Sequence, residues 1–266
     1  MKKLILASAI SAAFVGSFAQ AEEAAAPEHV LTYNLGVTSD YVFRGISQSR
    51  NRPAFSGGVD YSHTPTGLYA GTWVSTISWI NDATNRTDYP TANTPYEQDF
   101  YAGIKGEIGG GFSYDAGAIY YYYPRHKLGK APDANTTEVY GKLGYGPVYF
   151  KVSYAIGDAL WTSNKAGSYY LDAGGDFPVM DGLTFNVHAG YFSFKNGNGV
   201  ATASDYNYSD WKVGLTKDFG NGLTGALAAT GTNATNIKAD GTPIWNFGST
   251  GYLGDTKGIV SLTKTF

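Results

Sequence analysis

The chain closes on Gly258-Ile259-Val260-Ser261-Leu262-Thr263-Lys264-Thr265-Phe266, which places Val260, Leu262 and Phe266 on one side of an extended strand and Ser261, Thr263 and Thr265 on the other. Alternation of period two marks a strand with one apolar face. Here it runs to the last residue, an aromatic one. Chain ends are ordinarily frayed, polar and dispensable, so a strand carried through to Phe266 implies that the terminal residue is itself needed. Every other strand then serves to bring the first one round to this closing edge.

Upstream, the same alternation recurs between turn signals. A first strand is expected from Leu31 to about Arg44, with Leu31, Tyr33, Leu35, Val37, Tyr41 and Phe43 on one face and Thr32, Asn34, Thr38, Asp40 and Arg44 on the other. Further strands are expected over Pro53 to His63, Gly67 to Trp79, Tyr96 to Ile108, Phe112 to Tyr123, Thr136 to Tyr145 and Val148 to Gly157. Ser168 to Phe177, Leu183 to Phe194, Asp205 to Phe219 and Leu223 to Gly231 follow, before the closing strand. That makes twelve.

Connections alternate strictly between short and long. Thr64-Pro65-Thr66, Gly109-Gly110-Gly111, Gly146-Pro147, Pro178 to Gly182 and Gly220-Asn221-Gly222 are tight. Ile80 to Pro95, Pro124 to Asn135, Asp158 to Gly167, Lys195 to Ser204 and Thr232 to Asp255 are long and polar. A transmembrane antiparallel up-and-down β-barrel has short periplasmic turns, longer extracellular loops and an even strand number. A soluble sandwich or jelly roll also has many short strands, but nothing in it sorts loop length by parity. The expected fold is therefore an all-β barrel of twelve strands.

Side-chain sorting agrees. Tyr96, Phe100, Ala102, Ile104 and Ile108 oppose Glu97, Asp99, Tyr101, Lys105 and Glu107; Val148, Phe150, Val152, Tyr154 and Ile156 oppose Tyr149, Lys151 and Ser153. In a barrel the charged face looks into the lumen and lipid takes the apolar one. Lys217 and Lys264 fall on the lipid parity, near strand ends where a long amine can snorkel to the interface. Aromatic residues gather towards strand ends, at Tyr41 and Phe43, Trp73 and Trp79, Tyr120 to Tyr123, Tyr206, Tyr208, Trp211 and Phe266. Interfacial girdles account for that placement, and cross-strand packing is the competing account.

At the other end of the chain, Met1-Lys2-Lys3 is a positive stretch, Leu4 to Val15 is apolar, and Ala19-Gln20-Ala21 is a small-residue cleavage site. Residues 1–21 read as a secretory signal peptide, too short for a spanning helix of ~20 apolar residues. Residues 22–30 read as a short periplasmic leader and 31–266 as one barrel domain. Cysteine is absent, so there is neither a disulfide framework nor a lipid-anchored cysteine. Of 19 basic residues two, Lys2 and Lys3, lie in the signal peptide, and the remaining 17 face 22 acidic ones, a net charge of about −5. No nucleic-acid partner is expected of such a surface.

The terminal Phe266 resembles the assembly signal of bacterial outer-membrane barrels, although Lys264 stands where a second aromatic is usual. The string SDYVFRGISQS, Ser39 to Ser49, resembles the opening signature of the TorF family of proteobacterial porins, formerly a group of conserved hypothetical proteins. The likeness continues in Gly57 to Tyr61, Leu68 to Gly71, Tyr114-Asp115, Tyr120 to Pro124, Tyr145 to Val148 and Asp210 to Gly214. What the resemblance implies is an outer-membrane barrel that passes small solutes, with no established binding or catalytic residues to carry over.

A barrel of twelve strands lies between the filled lumen of eight and the wide channel of sixteen, so a narrow pore for small solutes or ions is expected. The inward charged set by parity is Asp40, Arg44, Asp60, Glu97, Asp99, Lys105, Glu107, Asp115, Glu138, Lys142, Lys151, Asp172 and Lys212. Asp40 and Arg44, four apart on one strand face, read either as a charge pair at the mouth or as a brace within the wall. Eight of the set are acidic and five basic, which implies a weak cation preference.

Catalysis finds little support. The histidines are His29 in the leader, His63 beside a turn, His126 in an outer loop and His188, inward on its strand. No G-x-S-x-G string and no metal-ligand histidine spacing occurs, and Asn196-Gly197-Asn198-Gly199 opens no helix, so no enzyme and no cofactor are expected. The expected partners are outer-membrane lipid, the barrel-assembly machinery acting on the closing strand, and the permeating solute. A structural or adhesive barrel with a plugged lumen and a soluble secreted binding protein remain as alternatives, and oligomeric state stays open.

Overall fold

A computed structural model describes residues 27–84, 94–124, 134–157, 166–195, 206–235, 245 and 251–266. The expected signal peptide, most of the expected leader, His126, Asn196 to Gly199 and the centres of the long connections lie outside the described residues. The strands are β1 (His29–Thr38), β2 (Val42–Phe43), β3 (Ile46–Ser47), β4 (Ala54–His63), β5 (Leu68–Thr76), β6 (Tyr96–Gly109) and β7 (Phe112–Tyr122). They continue as β8 (Thr136–Tyr145), β9 (Val148–Ala155), β10 (Tyr169–Met180), β11 (Leu183–Ser193), β12 (Tyr208–Asp218), β13 (Leu223–Thr232) and β14 (Lys257–Thr265). One short helix, α1 (Trp79–Thr84), follows β5.

Twelve of these strands, β1 and β4 to β14, form a closed antiparallel barrel in which each pairs with its neighbour in sequence and β14 returns to β1. The seam is held to the last residue: Phe266 N–H donates to Tyr33 O at 2.9 Å, and Asn34 to Thr38 lie opposite Thr265 to Ser261. Closure leaves no strand edge unpaired. The end carrying the tight connections is the turn end, and the end carrying the long ones is the loop end. At the turn end Gly109, Gly110 and Gly111 have φ of 99°, 64° and 86°, a left-handed run that only glycine adopts without strain.

The two faces separate as the alternation requires. Leu31, Leu35, Phe55, Phe100, Leu143, Phe150, Leu227 and Val260 stand outward and exposed. Lys217 reaches back to Asp181 O at 2.9 Å and Lys264 to Asn221 O, so both amines on the apolar parity end at turn-end carbonyls.

Two expectations are corrected. The first strand does not run to Arg44: β1 stops at Thr38, and the chain turns into the lumen as the β2–β3 hairpin, with Val42 opposite Ser47 and Phe43 opposite Ile46. Asp40 and Arg44 therefore do not share a strand face. The aromatic girdle is also overturned at the loop end. Tyr41, Trp79, Tyr121 and Tyr123 are buried with Phe43 and Trp73 packed against them, and Tyr208 is buried in a cluster against which Tyr206 packs, inside the barrel mouth. Tyr120, Trp211 and Phe266 do face outward.

Candidate functional site

The lumen is built from inward side chains in two levels. At the loop end it is occupied by the segment between β1 and β4. The two central residues of the hairpin turn, Arg44 and Gly45, have φ of 47° and 78°. Positive φ at both is what a two-residue turn needs to match strand twist, and it usually selects Asn or Gly at the first position. Arg44 sits there instead, and its guanidinium donates to both carboxylate oxygens of Glu138 on β8, at 2.9 and 2.7 Å. It also lies against the rings of Phe43, Tyr170 and Phe192, at 4.7, 4.3 and 4.8 Å from their centroids. Pairing and stacking of this kind suit a planar cation removed from water.

The rest of the segment is tied down as firmly. Ser47 Oγ and Ser49 Oγ donate to Asp40 Oδ1 at 2.6 and 2.9 Å, and Lys257 Nζ lies 3.4 Å from Asp40 Oδ2. Ser47 N–H reaches Leu253 O, and Ser78 and Trp79 N–H both reach Gln48 O. Apolar packing flanks it on two sides: Tyr41, Ile77, Trp79, Ile80 and Tyr121 on one, and Ile46, Tyr170, Phe192, Phe194 and Leu253 on the other. Ile80 and Leu253 have no exposed surface at all.

Behind the hairpin stand three buried acids. Glu97 accepts from Tyr41 Oη at 2.7 Å, and Glu138 is held by Arg44. Asp99 is fully buried, and among the described residues neither of its carboxylate oxygens has a hydrogen-bond partner.

Towards the turn end the lining residues are less buried and their charges mix. Strand register places Lys105 opposite Asp115, Asp115 opposite Lys142, Lys142 opposite Lys151, and Lys151 opposite Asp172, a row that crosses five neighbouring strands. Tyr69 Oη donates to Asp115 at 2.6 Å and Tyr101 Oη to Asp60 at 2.5 Å. Lys142 lies 4.2 Å from the centroid of Tyr149, and Lys151 4.3 Å from that of Tyr140. Each of these tyrosines lies over a glycine directly across the ladder: Tyr101 over Gly71, Tyr69 over Gly103, Tyr140 over Gly117 and Tyr149 over Gly174. A Cβ on Gly71 would stand 2.5 Å from the Tyr101 ring.

A third cluster joins β10, β11 and β12. His188 Nδ1 is 2.9 Å from Asp172 and its Nε2 2.8 Å from Asp210, while Tyr170 Oη donates to Asp210 at 2.9 Å. Lys212 lies opposite His188 on the next strand. Of the expected inward set, Arg44, Glu97, Asp99, Asp115 and Glu138 are buried, Asp60, Lys105, Lys142, Lys151, Asp172 and Lys212 are half-buried, and Asp40 is buried within the hairpin segment. Glu107, on the same strand parity as Lys105, stands exposed at the turn-end rim of β6. Asp210 and the tyrosines were not in the set, yet the alternation that placed Lys212 inward places Asp210 inward as well.

The barrel is similar to solved porins. The KdgM porin matches with a TM-score of 0.50 at 9% identity, over 89% of this chain and 98% of that one. The NanC porin matches with a TM-score of 0.50 at 11% identity, over 89% of this chain and 99% of the other. Identities this low speak to a shared porin-like fold alone. Among curated proteins, none matches in sequence. A family model matches residues 21–266, nearly the whole chain, and the protein accordingly belongs to the Gcw_chp family, described as a bacterial protein of unknown function.

Proposed function

We propose that the protein is an outer-membrane channel of porin type, passing small solutes or ions through a narrow lumen lined by Asp60, Lys105, Asp115, Lys142, Lys151, Asp172 and Lys212 and controlled at its loop end by the β2–β3 hairpin. The observation that carries this reading is the sorting of side chains across a closed wall. Apolar groups such as Leu143 and Phe150 face out all round, where water would be an unfavourable neighbour and lipid a good one. Charged and phenolic groups face in, where only a wetted interior can solvate them. Lipid is then the partner of the outer face, and the closing strand ending at Phe266 is the element the assembly machinery would take up.

The acids at the mouth, Asp40, Glu97, Asp99 and Glu138, outnumber Arg44 and Lys257 beside them. A weak cation preference follows for any path past the hairpin. A second reading, a barrel whose lumen is permanently plugged, draws on the firmness with which Arg44 and Asp40 hold the hairpin in place.

Single-channel recording in a planar bilayer under a salt gradient tests both, using the wild type and an Arg44→Ala variant. Conductance steps in the wild type, or steps that appear once Arg44 is removed, support a channel. Silence from both proteins after verified insertion overturns it in favour of the plugged barrel, and a reversal potential favouring chloride refutes the cation preference.

A further inference from the structure

At the turn end, outside the lumen, three side chains on or just before the first two barrel strands present metal-ligand donors to one another. His29 on β1 stands directly opposite His63 on β4, their ring centroids 5.1 Å apart. Glu28, the residue before β1, brings Oε1 to 3.1 Å from His63 Nε2. One donor atom from each of the three lies within 4.8 Å of the other two. We propose that Glu28, His29 and His63 form a binding site for a single divalent transition ion of the zinc type, with water as the fourth ligand.

Two features beyond proximity point to a ligand. Each imidazole has its other nitrogen already engaged: His29 Nδ1 with Tyr61 Oη at 2.8 Å, and His63 Nδ1 with Thr66 Oγ1 at 2.7 Å. That leaves Nε2 of His29 unengaged and turns Nε2 of His63 towards Glu28, the arrangement that hydrogen-bonded outer partners give to metal-binding histidines. The approach of Glu28 is set by the backbone as well, because Thr64 N–H donates to Glu28 O and Thr64 Oγ1 to Pro27 O, both at 2.9 Å.

The chemistry selects the ion. Two imidazoles and one carboxylate suit zinc and its neighbours rather than calcium or magnesium, which favour all-oxygen shells. Tetrahedral zinc with ligands at about 2.0–2.1 Å needs donors about 3.3 Å apart. The Glu28–His63 pair, at 3.1 Å, is close to that spacing, and the three donor atoms, already within 4.8 Å of one another, would draw in around the ion. Glu28 is 63% exposed, so the ion enters from solvent with no path to open. Bound there, it would clip β1 to β4 beside the seam. The inference is independent of whether the lumen conducts.

Calorimetric titration of Zn2+ into the tag-free, folded barrel in detergent near neutral pH is the test. One ion per barrel is expected, removable by chelator, with affinity falling at least about tenfold in His29→Ala and in His63→Ala and unchanged in His126→Ala. Heat-modifiable gel mobility checks that each variant is folded. On the wild type, zinc should protect His29 and His63 together from carbethoxylation, a reading that needs no variant. Absence of binding, binding retained when both histidines are replaced, loss in His126→Ala, or no protection would each overturn the site.

Discussion

Arg44, at the tip of an inward hairpin, meets Glu138 on the far wall of the barrel through two parallel hydrogen bonds of 2.9 and 2.7 Å. Both side chains are almost completely buried. The pair spans the lumen, so it acts on the hairpin as a latch.

Removing one partner leaves the other charged and buried, at a cost of about 3–5 kcal/mol. Arg44→Ala and Glu138→Gln should each lower resistance to urea and raise channel conductance, as the hairpin leaves the mouth. Replacing both by Met should cost less than either single change, because no orphaned charge remains. Urea titrations of the three variants give the comparison.

Gly45 tests the same latch by shape. It has φ of 78°, and an added Cβ would stand 2.6 Å from Asp210 Cβ and 3.1 Å from Thr232 Cβ. Gly45→Ala should therefore displace the hairpin without removing a charge. Its conductance should move in the same direction as that of Arg44→Ala, and an unchanged trace would mean the hairpin does not control the path.

His188 bridges two carboxylates, Asp172 and Asp210. Replacing it by Phe keeps a ring in place but removes the nitrogen between the two acids. The lumen then gains uncompensated negative charge on one side, and the reversal potential should shift towards cations relative to wild type. No shift would place this cluster off the conduction path.

Neighbouring residues on β8 separate wall from lining. Leu143 is 49% exposed on the outer face, while Lys142 turns inward over Tyr149. Leu143→Arg should destabilise the barrel in lipid bilayers by about 2–4 kcal/mol if the site is at mid-membrane depth. Lys142→Ala should leave stability within about 1 kcal/mol and alter only selectivity. Equal effects in unfolding titrations would argue that lipid does not cover the outer face.

Much of the barrel is legible in the sequence. Period-two alternation located the barrel strands to within a few residues, because each buries one side against the lumen and repeats every second residue. Loop parity ordered them, since antiparallel neighbours share one end. The hairpin was not legible, and the reason is local. Tyr41 and Phe43 continue the alternation of Leu31 to Val37, so nothing within the segment distinguishes wall from plug. The distinction lies in the partner: the last backbone tie to β14 is Ser39 N–H to Val260 O, and beyond it the hairpin strands pair with each other. The aromatic girdle failed for a related reason. At the loop end the interior is apolar too, so Tyr121 and Tyr208 satisfy the same pattern from inside. Asp210 could have been found, because its strand places it two residues before inward Lys212.

The tyrosines that lie over Gly71, Gly103, Gly117 and Gly174 have a wider meaning for how this wall can change over time. Rings laid flat need a bare backbone beneath them, so the calibre of the passage is written in residues that have no side chain. A single methyl group at Gly71 would tip Tyr101 towards the axis and free Asp60, narrowing the passage and recharging it in one step. Lineages of this barrel could thus retune what they admit through substitutions at glycines, leaving every lining residue in name unchanged.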